Sequence, residues 1–364
     1  MFNVCNFATK ITKMNLENRI NAFVKLGLFL KQFKSNKQNE GLKELNDKFF
    51  SDFDELIYRQ QAFNGWFDRA NVLNAIDAIA DSLTESELRE WLGNYNIEDD
   101  SNKTVGVILA GNIPIVGFHD YLCVLISGNR IKAKLSSSDK TLLPKVSEIL
   151  IYLENDFEPK IEFVDKLENF DAVIATGSNN TARYFTQYFG KYPHIIRKNR
   201  NSVAIIDEKD GVSDLDGLGK DIFSYYGLGC RNVSKLYVPA GYRLDTIFEA
   251  LFDFKYVVDN NKYANNYDYN KAVYLLGSNE LLDNNFLLFK PDESLTSPVG
   301  VLHYEFYQDV ESLKQHLEEI RESIQCVVSS KNSSIETLNF GEAQCPKLSD
   351  YADGVDTLKF ILTF

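Results

Sequence analysis

The sequence predicts an α/β protein of two lobes, with a Rossmann-like parallel sheet, a second α/β domain after it and a helical N-terminal region. Three observations carry this. Residues 15–100 keep a helical apolar period. From residue 104 onward, short apolar runs alternate with amphipathic stretches of about 10–15 residues, the signature of βαβ units feeding parallel sheets. Finally, 364 residues exceed one ordinary domain of roughly 100–200 residues.

The elements follow in order. Apolar residues recur at three- and four-residue spacing through LENRINAFVKLGLFLKQF, EGLKELNDKFFSDFDELIYRQQAF and LREWLGNYNI. Thr84-Glu85-Ser86-Glu87 has the hydroxyl and early acids of a helix start. Residues 1–13 are expected to be loose, with Met14 as an alternative start. The run Thr104–Ala110 reads as a buried strand ended by Gly111-Asn112. Next come the helix HDYLCVLISG, the strand Arg130–Leu135, a helix opening at Leu142-Leu143-Pro144, and the strands IEFVD and DAVIATG. The helix NTARYFTQYFG and the strand SVAIID complete a nucleotide-binding unit, giving 14–207 as helical preface plus Rossmann-like domain. Its ligand is expected at the carboxyl ends of the strands. A second set spans 208–335: the helix LGKDIFSYYG, the strand VSKLYVP, the helix DTIFEALFDF, the strands NFLLFK and VGVLHYEF, the helix VESLKQHLEEIRESI and the strand QCVVSS. Residues 259–271, rich in Asn and Tyr, read as an exposed excursion. The tail, 336–364, ends in TLKFILTF, read as a final strand.

Composition removes several classes of function. Hydrophobic residues make up 44% and charged residues 25%, ordinary for a globular protein with a large core. The net charge of -13 argues against nucleic acid, whose phosphates need clustered Lys and Arg. No apolar run approaches the roughly 20 residues that span a bilayer, and the start does not read as a secretory signal. The cysteines are Cys5, Cys123, Cys230, Cys326 and Cys345. Their odd number and the absence of a C-x-x-C pair suit a cytoplasmic thiol protein better than a disulfide frame or a zinc site. No two histidines lie at i, i+4, so no helical metal pair is expected.

Chemistry concentrates at a few positions. Cys230 lies in Gly227-Leu228-Gly229-Cys230-Arg231-Asn232, between a helix and a strand, where glycines permit close approach. A thiolate there could attack a thioester carbonyl. Asn112, just past the first strand, could donate to the developing oxyanion together with the nucleophile's own N–H. Lys134 ends the second strand, where a dinucleotide ribose or 2′-phosphate would lie. Thr176-Gly177-Ser178 ends a later strand and opens a helix, a natural seat for pyrophosphate. His119-Asp120 could supply a general acid, and Cys345 a second acyl-carrying thiol.

The order Gly-Asn-Ile-Pro, strand-end Lys, Thr-Gly-Ser, strand and Gly-x-Gly-Cys resembles the aldehyde dehydrogenase superfamily. Within it, VGVILAGNIPIVGFHDYLCVLISGN, RKNRNSVAIID and NFGEAQCPKLSDYADGVDTLKFIL resemble the acyl-CoA reductase family of bacterial luminescence (LuxC-like), over roughly residues 60–364. The resemblance implies an aldehyde dehydrogenase-like fold. It also implies Cys230 as nucleophile, Asn112 as oxyanion donor, Lys134 on the adenosine ribose, Gly177 and Ser178 at the pyrophosphate, and Glu293 on the nicotinamide ribose. Hydrolytic members carry a glutamate where this chain has Arg197-Lys198-Asn199-Arg200-Asn201-Ser202. Without that base an enzyme thioester would survive to be reduced. Ser136 and its neighbouring hydroxyls, with Lys134, would accept a 2′-phosphate, favouring NADPH over NADH. The expected activity is reduction of an acyl-CoA or acyl-protein thioester to an aldehyde, fed by an acyl-activating partner protein. Aldehyde oxidation on the same fold and a non-catalytic acyl-binding subunit are the rival readings. A homo-oligomer is expected through the tail strand.

Overall fold

The structure is a computed structural model that describes residues 14–99, 101, 103–331, 333, 335 and 337–364. The segment expected to be loose, 1–13, lies outside the described residues. Five helices open the fold: α1 (Leu16–Leu30), α2 (Gln32–Ser35), α3 (Lys43–Phe63), α4 (Arg69–Ser82) and α5 (Glu85–Leu92). The side chains of Asn15, Asp68 and Thr84 accept the backbone N–H three residues on, which starts α1, α4 and α5 where the chain is polar. Their apolar faces bury Phe23, Leu26, Phe29, Phe53, Ile57, Val72 and Leu88 in one core continuous with the helices of the first sheet. The preface is therefore a layer of that lobe.

The first lobe runs β1 (Thr104–Ile108), α6 (Phe118–Ile126), β2 (Arg130–Lys134), α7 (Leu142–Leu153), β3 (Ile161–Phe163), β4 (Ala172–Thr176), α8 (Asn179–Phe189) and β5 (His194–Arg197). The strand order is β3-β2-β1-β4-β5, parallel throughout. The chain reverses its direction of travel beside β1, which opens a crevice at the carboxyl ends of the strands there.

The second lobe runs β6 (Asn201–Ile205), α9 (Leu218–Phe223), β7 (Val233–Pro239), α10 (Leu244–Leu251), α11 (Asn261–Leu276), β8 (Leu282–Asp283), β9 (Leu288–Pro291), β10 (Val301–Tyr307), α12 (Val310–Glu319), β11 (Ile324–Ser329) and β12 (Leu338–Asn339), after which α13 (Thr357–Thr363) returns to the first lobe. Its order is β12-β11-β6-β7-β10-β9-β8, and only β8 is antiparallel to its neighbour.

Three expectations are corrected. SVAIID was assigned to the first lobe, but β6 pairs with β7 and β11 in the second. Its short apolar run, buried on both faces, marks a strand without naming its partners, so the lobes divide near residue 200 rather than 207. Residues 259–271 are not an exposed excursion. Asn260 caps α11, and Tyr263, Tyr267 and Asn270, at helical spacing, are buried. The tail TLKFILTF is helix α13 rather than a strand, capped by Asp356, with Leu358 and Ile361 inside the first core. A short apolar run suits helix and strand equally, and here the Asp356 cap and the first core's apolar face decide it. The basis for oligomerisation through a tail strand falls with it.

Candidate active site

The turn that carries Cys230 is built from strained backbone. Helix α9 stops at Phe223, and then Tyr225 (φ 52°), Tyr226 (φ 58°) and Gly227 (φ 78°) all adopt the left-handed region. Each non-glycine residue there costs about 1–2 kcal/mol, so the surroundings must hold it. The Tyr225 N–H donates to Asn71 Oδ1 at 3.0 Å. The Tyr226 hydroxyl donates to Asp68, the cap of α4. Downstream, the Gly229 N–H donates to Asn232 Oδ1 at 2.8 Å, and Asn232 Nδ2 donates to the carbonyls of Asp221 and Ser224 at 3.0 and 2.8 Å. From β6, the Ser202 hydroxyl donates to the Cys230 carbonyl at 2.9 Å. The turn is thus fixed from the N-terminal layer and from the second sheet together.

Cys230 itself is exposed. Protein packed closely around the thiol still strips part of its hydration and raises its pKa; Arg231 opposes this, while Asp353 and Cys326 reinforce it. The backbone N–H of Cys230 faces its own sulfur and favours the thiolate.

The loop after β1 meets this turn. Asn112 Nδ2 donates to the Leu228 carbonyl at 2.7 Å, which leaves one amide hydrogen uncommitted. The loop is shaped at both ends. A Cβ on Gly111 would lie 2.5 Å from Ser136 Oγ, so only glycine admits the neighbouring turn. Ile115, at φ 50°, donates its N–H to the buried Asp139 carboxylate at 2.8 Å. Asn112 is therefore held against the turn that carries Cys230, the two loops coming from different sheets.

The residues expected at the cofactor share one edge of the first sheet. Lys134 is exposed at the end of β2, opposite Ile108 of β1. Ser136 lies in the turn against Gly111. Thr176 ends β4, and Ser178 caps α8, its hydroxyl accepting the Thr181 N–H at 3.2 Å. At Gly177 a Cβ would stand 3.0 Å from Phe185. An exposed cation, small residues and a helix N-terminus along the carboxyl ends of β1, β2 and β4 fit a dinucleotide. Glu293 is exposed in the loop after β9. That loop doubles back across the sheet: the Glu293 carbonyl accepts from Lys235 at 2.7 Å, the Leu295 carbonyl from Ser234 at 2.7 Å, and Thr296 Oγ1 from Asn201 at 3.0 Å. It therefore crosses β7 a few residues beyond Cys230.

The expected His119–Asp120 pair is not formed. The Asp120 carboxylate makes a buried ion pair with Arg197, which also donates to Thr357 Oγ1 at 2.8 Å. His119 Nε2 lies 2.9 Å from the Leu348 carbonyl, and its ring packs between Trp91 and Tyr351. Burial lowers its pKa and favours the neutral ring. The carboxylate partner on which its proton-donor role rested is absent. Cys345 is exposed in the tail; the sulfur that neighbours Cys230 is instead Cys326.

Sequence reasoning missed the tail's part in the site. Asp221 accepts the N–H groups of Gly341 and Ala343 at 2.6 and 3.1 Å, and burial raises its pKa to about 6. Arg231 donates to the carbonyls of Ala343 and Asp350, both at 3.4 Å. Asp353, at φ 60°, pairs with Arg200 at 3.3 Å, so the carboxylate in electrostatic reach of Cys230 comes from the tail and not from 197–202. The buried Asp221 and the NFGEAQ motif were each visible in the sequence, but nothing local joined them. A recess of about 390 Å³ beside α13, lined by Tyr95, Asp356, Lys359 and Leu362, has no thiol in its lining. Among the described residues, no cluster of three or more His, Cys, Asp or Glu is placed to hold a metal, and no helix is long and apolar enough to cross a membrane.

The fold is that of aldehyde dehydrogenases. The substrate-bound Staphylococcus aureus AldH superposes with a TM-score of 0.57 at 16% identity, over 89% of this chain and 78% of that one. An indole-3-acetaldehyde dehydrogenase in complex with NAD+ gives 0.59 at 14% identity, covering 88% and 76%. Aldehyde dehydrogenase 21 from Physcomitrella patens, in complex with the reaction product succinate, gives 0.60 at 15%, covering 88% and 74%. No curated protein matches the sequence. Residues 21–246 match the family described as acyl-CoA reductase (LuxC), well over half of the chain. With the strained turn of Cys230 set against Asn112 on an aldehyde dehydrogenase fold, this chain belongs to the LuxC acyl-CoA reductase family.

Proposed function

We propose that the protein reduces a fatty acyl thioester, acyl-CoA or acyl-protein, to the aldehyde through an acyl-Cys230 intermediate. The Cys230 thiolate attacks the thioester carbonyl, the tetrahedral intermediate collapses, and the thiol of the donor leaves as the new carbon–sulfur bond is kept. Arg231 favours the thiolate. The oxyanion is received by the second Asn112 amide hydrogen and the Cys230 N–H. NADPH, when bound, supplies the hydride. Lys134 and Ser136 would hold its ribose phosphate, Thr176, Gly177 and Ser178 its pyrophosphate, and Glu293 its second ribose. In 197–202, Arg200 occupies the stretch where hydrolytic relatives carry a glutamate, and its charge is spent on Asp353. No base there readies water to hydrolyse the acyl group, which supports reduction over oxidation to a free acid. A cytoplasmic setting and an acyl-activating partner protein complete the reading.

The observation that carries it is the 2.7 Å hydrogen bond from Asn112 to the Leu228 carbonyl, which holds the Asn112 amide against the turn that carries Cys230 and so supports its reading as an oxyanion donor. The test mixes protein, NADPH and a long-chain acyl-CoA, following loss of the reduced cofactor and the mass of the Cys230 peptide. Cofactor loss and an acyl adduct on Cys230, both absent from Cys230→Ala, are expected. Turnover retained in Cys230→Ala overturns the proposal. Faster conversion of aldehyde to acid with NADP+ than of acyl-CoA to aldehyde would overturn the direction.

A further inference from the structure

A second thiol stands next to the proposed nucleophile. Cys326 lies on β11, which pairs with β6, and β6 in turn pairs with β7, the strand that follows Cys230. One fully buried hydroxyl joins the two cysteines. Ser202 Oγ lies 2.9 Å from the Cys230 carbonyl and 3.0 Å from Cys326 Sγ. The register of β6 with β11 shifts between Ile324 and Val327. The irregularity spans Gln325 and Cys326, and such a bulge re-aims the side chains it carries. Both thiols are reachable: Cys230 is exposed and Cys326 is half-buried. Cys123, by contrast, is sealed in the core, and Cys345 is held in the tail beside Asp221 and Glu342.

We propose that Cys230 and Cys326 form a reversible disulfide when the protein meets a peroxide. The Cys230 thiolate attacks one peroxide oxygen, the O–O bond breaks, and Cys230 becomes a sulfenic acid as water leaves. The Cys326 thiolate then attacks the Cys230 sulfur, and hydroxide departs to take up a proton as a second water. In balance, two thiols lose two electrons and two protons, and one peroxide becomes two waters. The Cys230 turn is pinned by Asn232, Ser202 and Asn112, so the movement that closes the bond falls to Cys326 beside the β11 irregularity. The disulfide removes the nucleophile from use and shields it from sulfinic acid, which thiols do not reverse. An enzyme whose working state is a free thiol would then survive an oxidising episode and recover on reduction. The consequence for activity rests on Cys230 being the nucleophile; the formation of the bond does not.

The test treats full-length protein with hydrogen peroxide, maps peptides without reduction, and then adds dithiothreitol. A Cys230–Cys326 cross-linked peptide lighter by two hydrogens than its two parts is expected. Wild type should regain most of its acyl-CoA reductase activity after dithiothreitol. Cys326→Ser keeps a hydroxyl to meet Ser202 and should start near wild-type activity. After the same treatment it should recover less than about a tenth, with sulfinic or sulfonic acid on Cys230. Cross-linking of Cys230 to Cys5 or Cys345, or Cys230 over-oxidised equally in both proteins, overturns the proposal. If the cross-link forms in a protein that never acylates Cys230, the disulfide stands and the nucleophile assignment falls.

Discussion

Replacing Asn112 with Ala separates catalysis from architecture at this site. The side chain makes one hydrogen bond, to the Leu228 carbonyl at 2.7 Å, in an exposed setting, and a neutral bond of that kind contributes about 0.5–1.5 kcal/mol at most. The turn it touches keeps its other holds: Asn71 on Tyr225, Asp68 on Tyr226, Asn232 on Gly229 and Ser202 on Cys230. Global stability should therefore fall by no more than about 1 kcal/mol. The reaction loses an oxyanion donor, which in comparable sites costs about 10²–10³ in rate, or roughly 3–4 kcal/mol. Urea denaturation gives the first quantity. The single-turnover rate of Cys230 acylation by acyl-CoA, read by mass spectrometry, gives the second. A loss of acylation rate below about threefold would refute the oxyanion assignment. So would a rate loss that disappears once the folded fraction is taken into account.

Three further outcomes follow from the same contacts. Because burial raises the Cys230 thiol, the thiolate is scarce at neutral pH. Its alkylation by iodoacetamide should accelerate as pH rises past the ordinary thiol value of about 8.5, and Arg231→Gln should move that rise to higher pH; a flat profile from pH 6 to 9 would contradict this. Asp221, raised to about 6 when folded, binds its proton more tightly in the native state than in the unfolded one. Its contribution is complete below the unfolded value near 3.8 and is lost as pH climbs through 6, so wild type should lose roughly 2 kcal/mol relative to Asp221→Asn between pH 4 and 7. Denaturation midpoints of both proteins at the two pH values check the sign. Gly217 sits at φ 93° with a hypothetical Cβ 2.6 Å from the Phe340 carbonyl, whereas Gly241, at φ 85°, has nothing within 4 Å. Gly241→Ala should cost about 1 kcal/mol and Gly217→Ala at least about 2–3 kcal/mol, with faster proteolysis of the tail; equal effects would show that Phe340 yields freely.

What could be read in the sequence was whatever is written locally. Strand–helix alternation gave the first sheet in full except β5, whose HIIR run is four residues long and flanked by charge. Cys230 and Asn112 stood out as candidates because a short apolar strand ending in Gly-Asn, and a cysteine preceded by glycines, are unusual in themselves. Partnership was not legible. SVAIID looks the same whichever sheet it joins, and its partners β7 and β11 lie about 30 and 120 residues downstream. The tail failed for the converse reason, because its eight residues satisfy two periodicities and the choice is made by packing on α6, some 240 residues earlier. The dependence of the Cys230 turn on Tyr225 and Tyr226 in left-handed backbone could not be foreseen, since tyrosine carries no preference for it. Only the structure shows that Asn71 and Asp68, from the helical preface, hold it there.

The threading of the last residues through both lobes bears on how the protein is made. The buried Asp221 waits for N–H groups of Gly341 and Ala343, Arg231 for carbonyls of Ala343 and Asp350, and Arg197 for Thr357. A nascent chain that has already produced Cys230 lacks every one of these partners, so the floor beneath that turn is unfinished. The turn is completed only once residues 341–357 have folded back onto both lobes.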